Sequence, residues 1–371
     1  MSTMLPAPPK SLGRLGDVLI SALGSVEGKP NKLDLAPRQS ICILLADGLG
    51  YYNLADAAGH ARFLNSQQIE KSYCYFPATT STSLTSFATG KKPNATGFIG
   101  YNIFNRITGQ RMNLLSGWED QESAFTFQRQ PTVSEMAVES NVSVDVVSHS
   151  TYENTGLTAA TMPAANFHSA DSIEARFDIA LKLLATGDKR VVYLYIQELD
   201  QTAHGLGVSS NRWLEGVELL DGLVRDFVER LPKNSGLIVT SDHGVIDVTE
   251  YEKIYFDELL PAEEMLFVGG DTRGLMVYLQ DPGKTTAYLR ELAQELGDLC
   301  YLVTAEQLIS AGYFESLDER PEIVPDFWII AKKNVALYHR AYARPKSLFN
   351  VGHHGAISER ELAIPLIRFN C

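Results

Sequence analysis

Residues 41–50, ICILLADGLG, set six apolar residues directly before an aspartate and a glycine. An apolar run of this length, bounded by a turn signal, reads as a strand buried on both faces, the signature of a parallel sheet. Three further runs share the character: VDVVS (144–148), VVYLYI (191–196) and GLIVTS (236–241). Between them, segments 170–184 and 211–231 have the spacing of amphipathic helices. This alternation predicts a three-layer α/β/α fold, a mostly parallel sheet with helices on both faces. Near Tyr251 the pattern changes to MLFVGG, GLMVYLQ, a helical TTAYLRELAQELG and YLVT. We read that change as a smaller α/β insertion or cap, about 251–344, within one domain spanning the chain.

In open α/β sheets the working residues gather at the carboxyl ends of strands. Here those positions hold Asp47 after the first run, Glu198 and Asp200 after VVYLYI, and Asp242 with His243 after GLIVTS. Each has an ordinary reading. Asp47 beside Gly48 fits a turn, and Asp200 with His204 fits a helix start with an i,i+4 neighbour. His353 and His354, between glycines in GHHG, fit a surface turn. Asp242-His243 is harder to dismiss, because two ionisable residues straight after a buried strand are costly without partners. Asp47, Asp200, His204, Asp242, His243 and one GHHG histidine together supply three carboxylates and three imidazoles, enough for two metal ions with three protein ligands each. Mixed Asp and His ligands favour zinc, with manganese or iron as competitors.

Residues 76–93, FPATTSTSLTSFATGKKP, place six hydroxyls (Thr79, Thr80, Ser81, Thr82, Ser83, Thr85) at the start of a helical segment. They could simply cap it. A helix N-terminus also binds anions, and a hydroxyl held there, facing two metals, is placed to attack phosphorus.

The formal charge of -13 over 371 residues argues against a nucleic-acid scaffold. A small anion remains compatible if metals supply positive charge. No apolar run is long enough to cross a bilayer, and Asp17 interrupts the N-terminal apolar stretch where a signal peptide needs continuity. The expectation is a cytoplasmic chain with no membrane association. Cys42, Cys74, Cys300 and Cys371 lack CxxC spacing and read as free thiols.

The ordered segments ADGLG, FPATTSTSLTSFATGKKPNATG, ELDQTAHGLG, TSDHG and GHHG resemble the alkaline phosphatase superfamily and, within it, the type I phosphodiesterase and nucleotide pyrophosphatase family. The resemblance implies a phosphodiester or pyrophosphate hydrolase acting on nucleotides or related small diesters. It implies Thr80 as nucleophile, with Thr79 and Ser81 as fallbacks. One zinc falls to Asp47, Asp242 and His243, the other to Asp200, His204 and His354, with His353 beside the set. The family commonly has an Asn where this chain has Ser83, so Ser81 and Ser83 become the candidate phosphate contacts. Tyr101, Phe104 and Trp118 either stack on a base or pack, and Tyr101 is taken as the substrate contact. A phosphomonoesterase or phosphonate hydrolase is the alternative, and a silent phosphate-binding protein a further one. A monoester's additional charge needs a cation: Lys91 and Lys92 lie about 15 Å along a regular helix from Thr80, whereas Arg273 could reach back from the insertion.

Overall fold

The computed structural model describes residues 5–11, 13–118 and 123–371. Its central sheet has seven strands, ordered Ile69–Tyr73, Ala363–Phe369, Ser235–Thr240, Ser40–Ala46, Arg190–Ile196, Ser143–Ser148 and Asn166–Ser169. Ser40–Ala46 lies at the middle, parallel to both neighbours, with Ile41 opposite Val191 and Gly236. Ala363–Phe369 runs antiparallel to its two neighbours. The four runs read as strands are therefore strands, and they are the adjacent, mutually parallel ones.

Side-chain alternation on the central strand separates the two faces. Ile41, Ile43 and Leu45 enter one apolar core, while Cys42, Leu44 and Ala46 enter the other. The second core is closed by helices Ile173–Leu184 and Asn211–Glu229, whose Phe177, Leu181, Trp213, Leu220 and Phe227 repeat at helical spacing. Helices Leu15–Glu27 and Thr80–Thr89 cover the opposite face. A parallel strand has to be apolar on both sides because helices cover both, which is why ICILLA reads as a run rather than an alternation.

A four-stranded antiparallel sheet follows, in the order Met265–Asp271, Gly274–Leu279, Phe327–Ala331, Cys300–Val303. Met276, Trp328 and Ile330 belong to the same continuous core as Ile41 and Phe87. The tip of its first hairpin, residues 270–274, is thereby brought to the carboxyl ends of the parallel strands.

Arg273, at that tip, does not reach into the site. It is buried and makes a two-pronged pair with Glu361, Nε to Oε1 at 2.9 Å and one Nη to Oε2 at 3.0 Å, and donates to the carbonyls of Lys333 and Val335. The pair fastens the small sheet to the short helix Glu359–Leu362 that leads into the last strand. Glu361→Ala is expected to destabilise the fold by about 3–5 kcal/mol, because it strands a buried guanidinium. Thermal unfolding would check this, and a melting temperature within a degree or so of the parent would refute the fastening role.

Candidate active site

The hydroxyl-rich helix spans Thr80–Thr89, with Thr79 at its cap position. The capping explanation fails in detail, since the Thr79 side chain makes no cap hydrogen bond. Four of the six hydroxyls are spent on backbone carbonyls: Ser81 on Gly100 (3.1 Å), Thr82 on Phe98 (2.8 Å), Ser83 on Asp242 (2.8 Å) and Thr85 on Ser81 (2.7 Å). Ser81 and Ser83 are fully buried and do not line the adjoining cavity. Their expected part as phosphate contacts is thus corrected: they bolt the helix start to the residue 100 loop and to the strand end at Asp242. Among the six, Thr80 alone meets the ionisable cluster, with Oγ1 3.3 Å from His243 Nε2 and 3.5 Å from Asp47 Oδ1.

All six acids and histidines singled out from the sequence converge. Asp47 directly follows the central strand, and Gly48 beyond it has φ +73°, so the turn reading of Asp-Gly holds too. A Cβ on Gly48 would sit 3.0 Å from Asp200 Oδ1, and its amide donates to Asp242 Oδ1 at 3.1 Å. Asp47, Asp242 and His243 offer ligand atoms within 4.8 Å of one another, and so do Asp200, His243 and His354. His204, on helix Glu198–Leu206, adjoins the second group: its Nε2 is 3.3 Å from Asp200 Oδ2 and 3.3 Å from His354 Nε2. His243 thus stands between the two groups, stacked on His354 at 3.9 Å between ring centroids.

The imidazoles are oriented alike. His204 Nδ1 lies 2.9 Å from the Gly352 carbonyl, His354 Nδ1 2.8 Å from that of Ala78, and His243 Nδ1 3.3 Å from that of Gly244. With Nδ1–H donating to a carbonyl, Nε2 of each ring is the nitrogen left to bind a metal once it is deprotonated, the arrangement of a metal-ligating histidine. The carboxylates show the complementary deficit, for Asp200 Oδ1 and Asp242 Oδ2 are buried without a hydrogen-bond partner. Burial, and then the charges of Asp242 and Asp200, push the Asp47 carboxyl well above the usual range. Burial opposes ionisation of Asp200 as well, but His204 outweighs it and holds that carboxyl below its ordinary value. In turn burial disfavours charge on His204, yet Asp200 raises the imidazole to about 9. Burial and His243 keep His354 neutral, far below its usual pKa. Three carboxylates crowded in this way, with two orphaned oxygens, fit divalent cations between them. His353 is engaged elsewhere, with Nδ1 2.8 Å from Thr272 Oγ1 and Nε2 3.2 Å from the Asn350 carbonyl.

A cavity of about 760 Å³ opens over this cluster. Tyr101 lines it, whereas Phe104 and Trp118 do not: Phe104 packs on Phe267 and Tyr278, and Trp118 on Phe98 and Phe127. Three groups missed in the sequence also belong here. Tyr195, whose position inside VVYLYI reads only as strand, donates its hydroxyl to Asp47 Oδ2. Asn102 lines the cavity from the hairpin that follows the helix. Asp271, from the small sheet's hairpin tip, lines it too, with Oδ2 buried and unpartnered, and burial pushes its pKa up to about 7. A polar residue ending an apolar run is visible in sequence, but its arrival from a second sheet is not.

The profile of the type I phosphodiesterase / nucleotide pyrophosphatase family matches residues 41–357. No curated protein sequence matches the chain. Among solved structures, murine ectonucleotide pyrophosphatase / phosphodiesterase 5 superposes with TM-score 0.70 at 16% identity, over 88% of this chain and 87% of that one. The human counterpart gives 0.67 at 14% identity, over 88% and 87%. Phosphonoacetate hydrolase from Sinorhizobium meliloti, solved with phosphonoacetate, gives 0.66 at 17% identity, over 88% and 89%. At these identities the structural likeness speaks for the fold, while the profile match spans most of the chain. The chain accordingly belongs to the type I phosphodiesterase / nucleotide pyrophosphatase family, phosphoester hydrolases of the alkaline phosphatase superfamily.

Proposed function

We propose that this protein hydrolyses phosphodiester or pyrophosphate bonds of nucleotides or related small diesters through a covalent phosphothreonine at Thr80. The observation that carries the reading is that Thr80, alone of six neighbouring hydroxyls, is turned to the Asp–His cluster. An inactive threonine-to-alanine form of the murine relative, solved in complex with AMP, supports the same role for a threonine in this fold.

Asp47, Asp242 and His243 would hold one zinc, and Asp200, His204 and His354 the other. Bound zinc supplies the positive charge that acidifies a hydroxyl and offsets charge developing on phosphate. The chain itself does the positioning. Thr80 Oγ1 forms the new bond to phosphorus as the ester or anhydride oxygen leaves with the proton, so threonine carries the phosphoryl group with its remaining ester, and water then cleaves the threonine–phosphate bond, restoring the hydroxyl and releasing the phosphate monoester. The first-turn amides of the helix, Thr80 to Thr82, have no intrahelical acceptor and lack a side-chain cap, so they are free to donate to a non-bridging oxygen. Asn102 and Tyr101 form the adjoining wall. Tyr195 fixes the orientation of Asp47.

The diester preference follows from charge. The cations that the sequence offered for a monoester's extra charge are engaged elsewhere: Arg273 is committed to Glu361, and Lys92 pairs with Glu315 at the far end of the helix. Asp271 instead brings a carboxyl to the cavity wall. The test is hydrolysis of p-nitrophenyl thymidine 5′-monophosphate, p-nitrophenyl phosphate and phosphonoacetate by zinc-loaded and chelated protein. Zinc-dependent turnover of the diester above the other two is expected; preference for the monoester or the phosphonate would replace the reading with that activity.

A further inference from the structure

The same cavity carries charge of the opposite sign away from the acids. Arg111, Arg344 and Lys346 line it, and all three are exposed. No ion pair among the described residues uses any of them. In a chain of net charge -13, three cations without acidic partners around one opening concentrate positive potential there. The Arg111 guanidinium is held in place by aromatic faces, 5.2 Å from the Phe267 ring centre and 5.5 Å from that of Tyr342. The Tyr342 hydroxyl is in turn anchored on the Met265 carbonyl at 3.1 Å. A guanidinium fixed against rings keeps its N–H fork for an oxyanion.

The hairpin that carries Arg111 is joined to the helix bearing Thr80. Ser81 ties the helix start to the Gly100 carbonyl, and the hairpin begins at Asn102, which pairs with Asn113. Arg111 pairs with Phe104, two residues further along, about 7 Å up the strand and on the same face as Asn113. Arg111 thus stands further along the cavity wall than Asn102 and Asn113, and Tyr101 and Phe267 on that wall offer rings to a nucleoside base.

We propose that Arg111, Arg344 and Lys346 form an anion subsite that takes a second phosphate on the nucleotide portion of the substrate. The inference rests on the hydrolase reading above and narrows it, from nucleotide diesters in general to nucleotides carrying a further phosphate monoester. Three cations exceed what one carboxylate needs and match a group of nearly two negative charges.

The test compares kcat/KM for p-nitrophenyl thymidine 5′-monophosphate with that for the same ester bearing a 3′-phosphate, on zinc-loaded protein. The expected result is a preference of about tenfold for the phosphorylated ester, carried by KM and shrinking as ionic strength rises from about 0.05 to about 0.5 M. In the Arg344→Ala/Lys346→Ala variant the ratio should fall towards one. Both positions are exposed, so folding is not at stake. A ratio near one in the parent protein, or a ratio that survives the double substitution, would overturn the subsite. If neither ester turns over, the hydrolase reading itself is what fails. The subsite is then decided by calorimetric titration with thymidine 5′-monophosphate and thymidine 3′,5′-bisphosphate: tenfold tighter binding of the bisphosphate supports it, and equal affinity overturns it.

Discussion

Thr80→Ala is expected to fold, to bind zinc as the parent does, and to lose at least about 10³-fold in kcat. The size of the loss follows from the geometry of the helix start. Oγ1 of Thr80 is the hydroxyl within 3.5 Å of both Asp47 and His243, and neither Ser81 nor Ser83 can replace it without breaking a bond to a backbone carbonyl. Ser81 is held by Gly100 and Ser83 by Asp242, and moving either would unfasten the helix that positions the site. Thr79 faces Asp271 rather than the cluster, so Thr79→Ala should lower the rate far less. Thr80→Ser keeps the oxygen and should retain much of the turnover. Intact-mass measurement on acid-quenched protein gives an independent readout: a species heavier by the retained nucleotidyl group should accumulate or be trapped in the parent and be absent from Thr80→Ala. Parental turnover in Thr80→Ala would end the assignment.

Metal removal should have the second large effect, on both activity and stability. The Asp47, Asp200 and Asp242 carboxylates share one buried site, and two of their oxygens lack any partner. Without cations, that arrangement destabilises the folded chain. Chelation should abolish turnover, and zinc at about 100 times its Kd should restore about 2.7 kcal/mol of stability per site. Asp242→Ala or His243→Ala should lower metal content along with rate, and full occupancy in both would refute the ligand set.

The pH dependence of the stripped protein carries a definite sign. Asp47 is raised above its ordinary value and His204 is raised to about 9, so each binds more protons folded than unfolded. A raised group contributes stability that is lost as pH climbs towards its folded pKa. The lowered His354 and His353 are neutral in both states above about pH 7 and do not oppose this trend. Metal-free protein should therefore melt at a lower temperature at pH 9 than at pH 7. Zinc-loaded protein should not show that decline, because deprotonated ligands bind metal more tightly. Parallel melting curves across pH with and without zinc would contradict the crowded-carboxylate account.

Much of this molecule was legible from local pattern. A strand covered by helices on both faces has to be apolar throughout, so ICILLA, VVYLYI and GLIVTS announce a parallel sheet by themselves. The acids and histidines stand out because they follow such runs directly, where burial without partners is costly. What the chain order cannot express is direction and encounter. Six hydroxyl positions between 79 and 85 look alike in sequence. Helical rotation and the carbonyls of Phe98, Gly100 and Asp242 decide that Ser81, Thr82 and Ser83 are structural and that Thr80 faces the cluster. Arg273 reads as a spare cation until Glu361, 88 positions later, is found to neutralise it. Asp271, Tyr195 and the Arg111–Arg344–Lys346 mouth come from separate elements, joined only when the second sheet packs onto the shared core. Sequence alone thus determined the layers and the strand ends that carry the acids and histidines, because those depend on hydrophobic periodicity. Tertiary packing decided which side chains are spent holding the site and which are left to act, because that depends on hydrogen-bond partners far apart in the chain.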